Sequence, residues 1–472
     1  MRVRVPMRRA RFPEDAYSTL SRRTALRDII ARRFWESART HARSPISKTD
    51  GGEVYMPRPG QEILPRGSVV VTEHYVEASF TADLPSKANK VDEEAMIDLI
   101  FGRISLIVSE SLLYSAYKEG KLYAHLEVAE NADWIRAHLK ESGLCAFVAE
   151  GSILPRREDD LAPMIDAVPF SCDESLMCEM HVPNGAPIRG LGLPIGFTAV
   201  TGPSGSGKSV LVDALFAGIY NHIPGDGREY VVSDPDAVYI MAEAGRYREG
   251  VRLSGPESEI AAIEEALEAG SHLLILDEEF SSPCVIRRAF PRSDNDMVPL
   301  SEMGPSLKDR DVSMVIVTGD ESAVRRADLT IVLDGYSVRR LDLESEAGCA
   351  AAPSAYGRYP LCKGVSFEKG RKDVSTSAPS VRVIEVGEYK VSVPVAGFFD
   401  TAQTREAADA IAAARDLMDG SRTLAEVCRM AVETVESDDE ANGTGMPHAH
   451  ARAVDVAAVL NRHPQMLFIR KS

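Results

Sequence analysis

Residues 202–209, GPSGSGKS, set glycines at Gly202, Gly205 and Gly207 and follow them with Lys208 and Ser209, the spacing G-x-x-x-x-G-K-S. Glycines let backbone N–H groups wrap a polyphosphate, a lysine ammonium neutralises β/γ oxygens, and a serine hydroxyl ligates Mg²⁺. The stretch Gly202, Pro203, Ser204, Gly205, Ser206, Gly207, Lys208, Ser209 and the following Val210 is therefore the expected cradle for ATP, with Lys208 also acting on the transferred phosphate. A magnesium site needs a second oxygen donor from a neighbouring strand. LLILDEE (273–279) supplies Asp277 for that role and Glu278, directly after it, as the base that polarises an attacking water. The plain alternative for the carboxylates is an acidic strand end facing solvent. No [NT]-K-x-D base-reading motif follows the loop, which disfavours GTP.

These residues need a scaffold that holds a glycine loop beside a carboxylate. The short apolar runs at 196–200, 272–279, 312–320 and 329–335 are of the buried, parallel-sheet kind, and helical patterns alternate with them. That succession predicts a doubly wound α/β domain over 166–345. Residues 1–165 alternate helical and strand patterns, as in an α+β domain. ALRDIIARRFWESAR (25–39) puts Leu26, Ile29, Ile30, Phe34 and Trp35 on one helical stripe, 68–84 is β-rich, 91–117 reads as a helix pair and 143–160 as a strand entering a polar linker. Residues 346–380 are small, polar and Pro-containing, hence an expected linker. A small C-terminal unit, 381–472, follows, with a strand pair near 381–395 and helices at 404–418 and 424–434.

The chain of 472 residues is 44% hydrophobic and 26% charged. No apolar run reaches the length of about 18 residues that spans a bilayer, and no apolar region follows the basic start, so a cytoplasmic protein is expected. Cysteines at 145, 172, 178, 284, 349, 362 and 428 form no Cys-x-x-Cys pair and read as reduced, buried thiols. His448 and His450 could be half a metal site, but a solvated loop is the expectation. The net charge of −17 conceals an asymmetry: residues 1–48 hold thirteen Arg and Lys against four acids. Arg2, Arg4, Arg8, Arg9, Arg11, Arg22, Arg23, Arg27, Arg32, Arg33, Arg39 and Arg43 make a basic arm that either pairs with the acidic remainder or contacts RNA or single-stranded DNA. Phe34 and Trp35 read as core.

Leu253, Ser254 and Gly255 open a further helical pattern between the loop and LLILDEE. A Ser-Gly pair at a helix start is either a cap or a second anion-binding device. IYNHIPGDGREYVVSDPDAV, EALEAGSHLLILDEEFSS, FPEDAYSTLSRRTALRDIIARRF, GQEILPRGSVVVTEHYVEASF, LCAFVAEGSILPR and DTAQTREAADAI together resemble the predicted ABC-class ATPase family across nearly the whole chain. The resemblance implies an ABC-type ATPase core flanked by its own N- and C-terminal domains. It further implies a homodimer with ATP at the interface, where Ser254 and Gly255 of one protomer reach nucleotide on the other.

The sequence also departs from the family pattern. The family loop reads GGGYHGKS, family members carry further residues ahead of RVRVP, and an insertion before the signature is missing between Gly250 and Leu253. No glutamine lies between Lys208 and Gln403, and Gly319 and Asp320 stand where a transporter-type switch histidine would follow its strand. Slow ATP hydrolysis is the expectation, because positioning groups supply much of phosphoryl-transfer catalysis. A small-molecule phosphotransferase with RYREGVR (246–252) as an arginine lid, or a non-hydrolysing ATP-bound scaffold, stands beside it.

Overall fold

The computed structural model describes residues 1–42, 51–87, 90–282, 290–293, 296–344, 346–353, 357–363, 365–370, 374–393, 397–442 and 448–470. Arg43 and Cys284 lie outside the described residues. At the centre is a seven-stranded, mostly parallel sheet in the order Ser171–Cys172, Ser337–Arg340, Leu329–Asp334, Phe197–Thr201, Ser313–Val317, Leu273–Asp277, Val238–Ile240. Phe197–Thr201 lies between two parallel neighbours, Ser313–Val317 and Leu329–Asp334. Its apolar residues and those of Leu273–Asp277 are buried on both faces, which is why these strands read as unbroken apolar runs.

A four-stranded antiparallel sheet packs beside the central one, with Leu144–Ala149 between Ile188–Pro194 and Val231–Ser233. The strand read from sequence as the end of the first unit is thus hydrogen-bonded into the second.

The N-terminal unit is built on the helix Leu20–Thr40, capped by Thr19, whose side chain accepts the Arg22 N–H. Leu26, Ile30 and Phe34 are fully buried in it, facing the helices Ile104–Ser111 and Glu119–His138. Trp35, expected in the core, is only half-buried, under the guanidinium groups of Arg39 and Arg58. The expected helix pair at 91–117 is one helical stretch with a π-helical segment, Asp98–Arg103, in its middle.

The basic arm is not free. Arg2–Pro6 is a strand paired with Tyr75–Ser79, and Arg4 bonds Glu77 at 2.8 Å. Arg22 meets Glu130, so Glu77 and Glu130, both distant in sequence, supply partners that the local count of four did not offer, while Arg32 pairs with Asp28 from within that count. Arg8, Arg9 and Arg11 stay exposed without a carboxylate partner among the described residues.

The expected linker carries two strands: Arg358–Leu361 pairs with Leu467–Arg470, and Thr376–Ser380 is the edge of a three-stranded sheet with Val383–Val386 and Tyr389–Ser392. Beside these pack the helices Thr401–Ala414, Leu424–Asn442 and Ala453–Arg462, the last not foreseen in sequence. His448, expected in a solvated loop, is 4% exposed and bonds Asp409 at 2.8 Å. His450 joins Glu406 and Glu436, with ligand-type atoms within 4.8 Å of one another. Arg27 and Arg66 line the same cavity as that trio, which opposes a cation there. The six described cysteines are free; Cys145, Cys172 and Cys428 are buried, whereas Cys349 is exposed, contrary to expectation.

Arg66 ties the units together. It is 2% exposed and bonds Asp28 of the first helix at 2.7 Å and Asp400, the N-cap of Thr401–Ala414, at 2.8 Å.

Candidate nucleotide site

The loop follows Phe197–Thr201 and runs straight into the helix Lys208–Ala217. Gly202 has φ +141°, and a Cβ there would meet the Leu333 carbonyl oxygen at 2.2 Å. Gly207 has φ +96° and ends the loop as the helix N-cap, so no side chain satisfies the first-turn N–H groups, which are left for an anion. Lys208 Nζ folds back over the loop and donates to the carbonyls of Gly202 (3.0 Å) and Pro203 (2.7 Å).

Asp277 ends a strand whose five residues are all buried. One of its oxygens accepts the Glu279 N–H at 2.9 Å, while Oδ2 is buried with no hydrogen-bond partner. The Ser209 hydroxyl lies 3.4 Å from Glu279 Oε2. An orphaned carboxylate oxygen and a hydroxyl from residues that line one cavity are hard-oxygen donors of the kind that suit Mg²⁺. Glu278 is half-buried, and its Oε2 accepts the Gly319 backbone N–H at 2.7 Å. That glycine stands where a transporter-type switch histidine would follow the strand, and its backbone orients the carboxylate.

These groups line a cavity of about 540 Å³ that includes Gly202, Ser204, Gly205, Gly207, Lys208, Ser209, Val210, Asp277 and Glu278. Pro203 contributes its carbonyl, and Ser206 is buried with an unpartnered hydroxyl. Ser254 and Gly255 do not line the cavity of their own chain. They start the helix Gly255–Ala269, where Ser254 donates its N–H (2.8 Å) and hydroxyl (2.7 Å) to Glu257. Those two bonds hold the Glu257 carboxyl below its ordinary range.

Glu279, Thr318 and Tyr336 also line the cavity. Glu279 was visible as the second glutamate of LLILDEE. Tyr336 sits in the two-residue hairpin Gly335–Tyr336, both at positive φ, and its ring would lie 2.6 Å from a Cβ on Gly207. Only the Asp-Gly turn signal at 334–335 marked that hairpin, and nothing in the spacing placed its tyrosine over the loop.

A family model described as ABC_ATPase, P-loop domain, matches residues 118–254 and 250–359, and another described as ATPase of the ABC class, N-terminal, matches residues 1–115. The chain belongs to the ABC-class ATPase family. This ABC-class ATPase carries its P-loop within the matched region, and the two matched pieces meet at 250–254. A tight hairpin, Tyr247–Arg248 with Val251–Arg252, closes the chain there through Glu249 and Gly250, both at positive φ. The uncharacterized protein MJ1628 of Methanocaldococcus jannaschii is 30% identical over 112 residues, 22% of this chain; the match spans a quarter (25%) of that relative's length. Among the described residues no helix is long and apolar enough to cross a membrane.

Proposed function

We propose that this ABC-class ATPase binds ATP with Mg²⁺ on Gly202–Ser209 and Asp277 and hydrolyses it slowly, coupling turnover to single-stranded nucleic acid. The observation that carries the hydrolytic reading is the Glu278 carboxylate, fixed by Gly319 N–H on the cavity that also holds Lys208. Glu278 takes the proton of the attacking water as its oxygen bonds to the γ-phosphorus. The β–γ bridging oxygen leaves with ADP, and Lys208 together with loop N–H groups offsets the charge on the phosphate oxygens. Ser209 and Asp277 are the residues that hold Mg²⁺, which when bound screens the phosphate charge. Slow turnover follows because Gly319 and Asp320 stand where a switch histidine would contact the γ-phosphate, and the Asp320 carboxylate instead caps the helix Glu321–Arg326.

Glu278→Gln tests the assignment. We expect ATP affinity within about threefold of the parent and hydrolysis reduced by at least about 10²-fold, the scale on which a positioned base acts. Phosphate release that continues at the parent rate would reject Glu278 as the base.

The ATP-bound scaffold remains as the second reading, favoured by one observation: the Ser254 hydroxyl is already bonded to Glu257. Two of the three arginines of the phosphotransferase lid are already paired, Arg246 with Glu265 and Arg248 with Glu264, which weighs against that reading.

A further inference from the structure

The largest cavity among those described, about 950 Å³, is not the nucleotide cradle. It opens between the N-terminal sheet and the C-terminal unit, and three arginines from separate elements line it. Arg2 is on the first strand, Arg58 follows Val54–Tyr55, and Arg405 is on Thr401–Ala414. Arg58 and Arg405 are exposed and, among the described residues, have no carboxylate within salt-bridge distance, and Arg2 has there only Glu77 at 3.9 Å. The acid lining the cavity, Asp409, already accepts a bond from His448. In a chain of net charge −17, uncompensated guanidinium groups gathered on one concavity need an anion.

The floor between them is aromatic. Trp35 carries Arg58 against its ring at 5.4 Å, which holds that guanidinium without neutralising it. Tyr55 is 55% exposed at the same wall, an unusual cost for a side chain of its size unless something flat covers it. Cations on three elements around an aromatic floor match a flat base flanked by successive phosphates, and exceed what one phosphate needs.

We propose that this cavity holds a segment of single-stranded nucleic acid, its phosphates on Arg2, Arg58 and Arg405 and a base against Tyr55 and Trp35. The inference rests on the nucleic-acid coupling proposed above and places it in a cavity rather than on the exposed Arg8, Arg9 and Arg11.

The experiment uses the full chain carrying Trp134→Phe, so that Trp35, of the two tryptophans, reports alone. Fluorescein-labelled oligo(U) and oligo(dT) of about 12 nucleotides are titrated at about 50 mM salt, following anisotropy and Trp35 emission. Expected are saturable binding and Trp35 quenching. With Arg58→Ala/Arg405→Ala, affinity falls at least about tenfold and the log–log salt slope drops by roughly 1.4, two phosphates at about 0.7 each. Tyr55→Ala weakens binding with the slope unchanged. Binding of a fluorescent ATP analogue, equal in all variants, confirms that they are folded.

Oligonucleotide binding indifferent to Arg58, Arg405 and Tyr55 but lost on Arg8→Ala/Arg9→Ala/Arg11→Ala overturns the cavity and leaves the coupling standing. No oligonucleotide binding by the parent overturns both. Quenching of Trp35 by uridine monophosphate without oligonucleotide binding overturns the strand in favour of a mononucleotide.

Discussion

Gly207 is held to glycine from two directions. Its φ of +96° is the left-handed region, and the Tyr336 ring occupies the space where a Cβ would stand. The ring thus lies over the turn that feeds Lys208 into its helix, the one aromatic among the described residues of the cradle wall. A half-buried ring there is suited to cover the base or sugar of a nucleotide whose phosphates sit in the loop. Tyr336→Ala is expected to weaken ATP about tenfold, close to the 1–1.5 kcal/mol of an aromatic contact, while inorganic tripolyphosphate binds as before. Lys208→Ala, by contrast, weakens both ligands, since its ammonium serves phosphate charge. Calorimetric titration of the two ligands on the two variants separates these outcomes; tripolyphosphate lost in Tyr336→Ala would make the tyrosine a mere support for the loop. The loop and the carboxylates were legible in the sequence because their chemistry is local: a phosphate cradle is one turn and a strand end. Tyr336 was not, because its role depends on which strand lies beside Phe197–Thr201, and strand order is set by the whole sheet.

The segment 219–232 shows the same limit one level up. Its IYNHIPGDGREYVV text was legible as family resemblance, but its function is to fasten elements. Asn221–His222 pairs with Glu62–Ile63 of the N-terminal unit, and Asp226 gathers His222, Arg228 and Arg156. Burial, with help from Arg228, pushes His222 down to about 4, while burial pushes Glu62, opposite it, up to about 7. The folded state therefore binds fewer protons at His222 than the unfolded chain between pH 6.5 and about 4. Stability from this histidine is complete above that window and is lost as pH falls through it. Glu62 acts in the opposite sense, so the comparison must cancel it. We expect the parent to lose about 3 kcal/mol relative to His222→Gln between pH 7 and pH 4, read by urea denaturation at each pH. Parallel curves for the two proteins would mean that folding does not shift the titration of His222. The helix Ala453–Arg462 and the strands within 346–380 escaped the sequence for a related reason: small and polar residues there take their structure from partners supplied by distant segments.

At the scale of the molecule, Ser254 and Gly255 lie off their own chain's cradle, just after the tight hairpin at Glu249–Gly250. If a second copy completes the cradle, Glu278→Gln should double in mass when ATP is added, because nucleotide that cannot be hydrolysed holds the copies together. Light scattering with and without ATP reads this directly, and Ser254→Arg should abolish the change by placing bulk and charge at the junction. A mass that stays at one chain in both conditions would favour the scaffold reading. The broad architecture was readable from the alternation of apolar runs and helical stripes, whereas the docking of the basic first strand was not, since Glu77 and Glu130 become neighbours only on folding.

The sharing of Arg66 between Asp28 and Asp400 has a consequence for the order in which the protein is made. A ribosome releases the first helix and Arg66 long before the residues around position 400, so the nascent N-terminal unit holds an arginine with one carboxylate and an open side where the last helices will dock. A guanidinium in that state is better left hydrated than buried. The final closure of the first unit therefore waits for synthesis of the last, and a ribosome stalled before Asp400 would display a chain whose beginning is still unfinished.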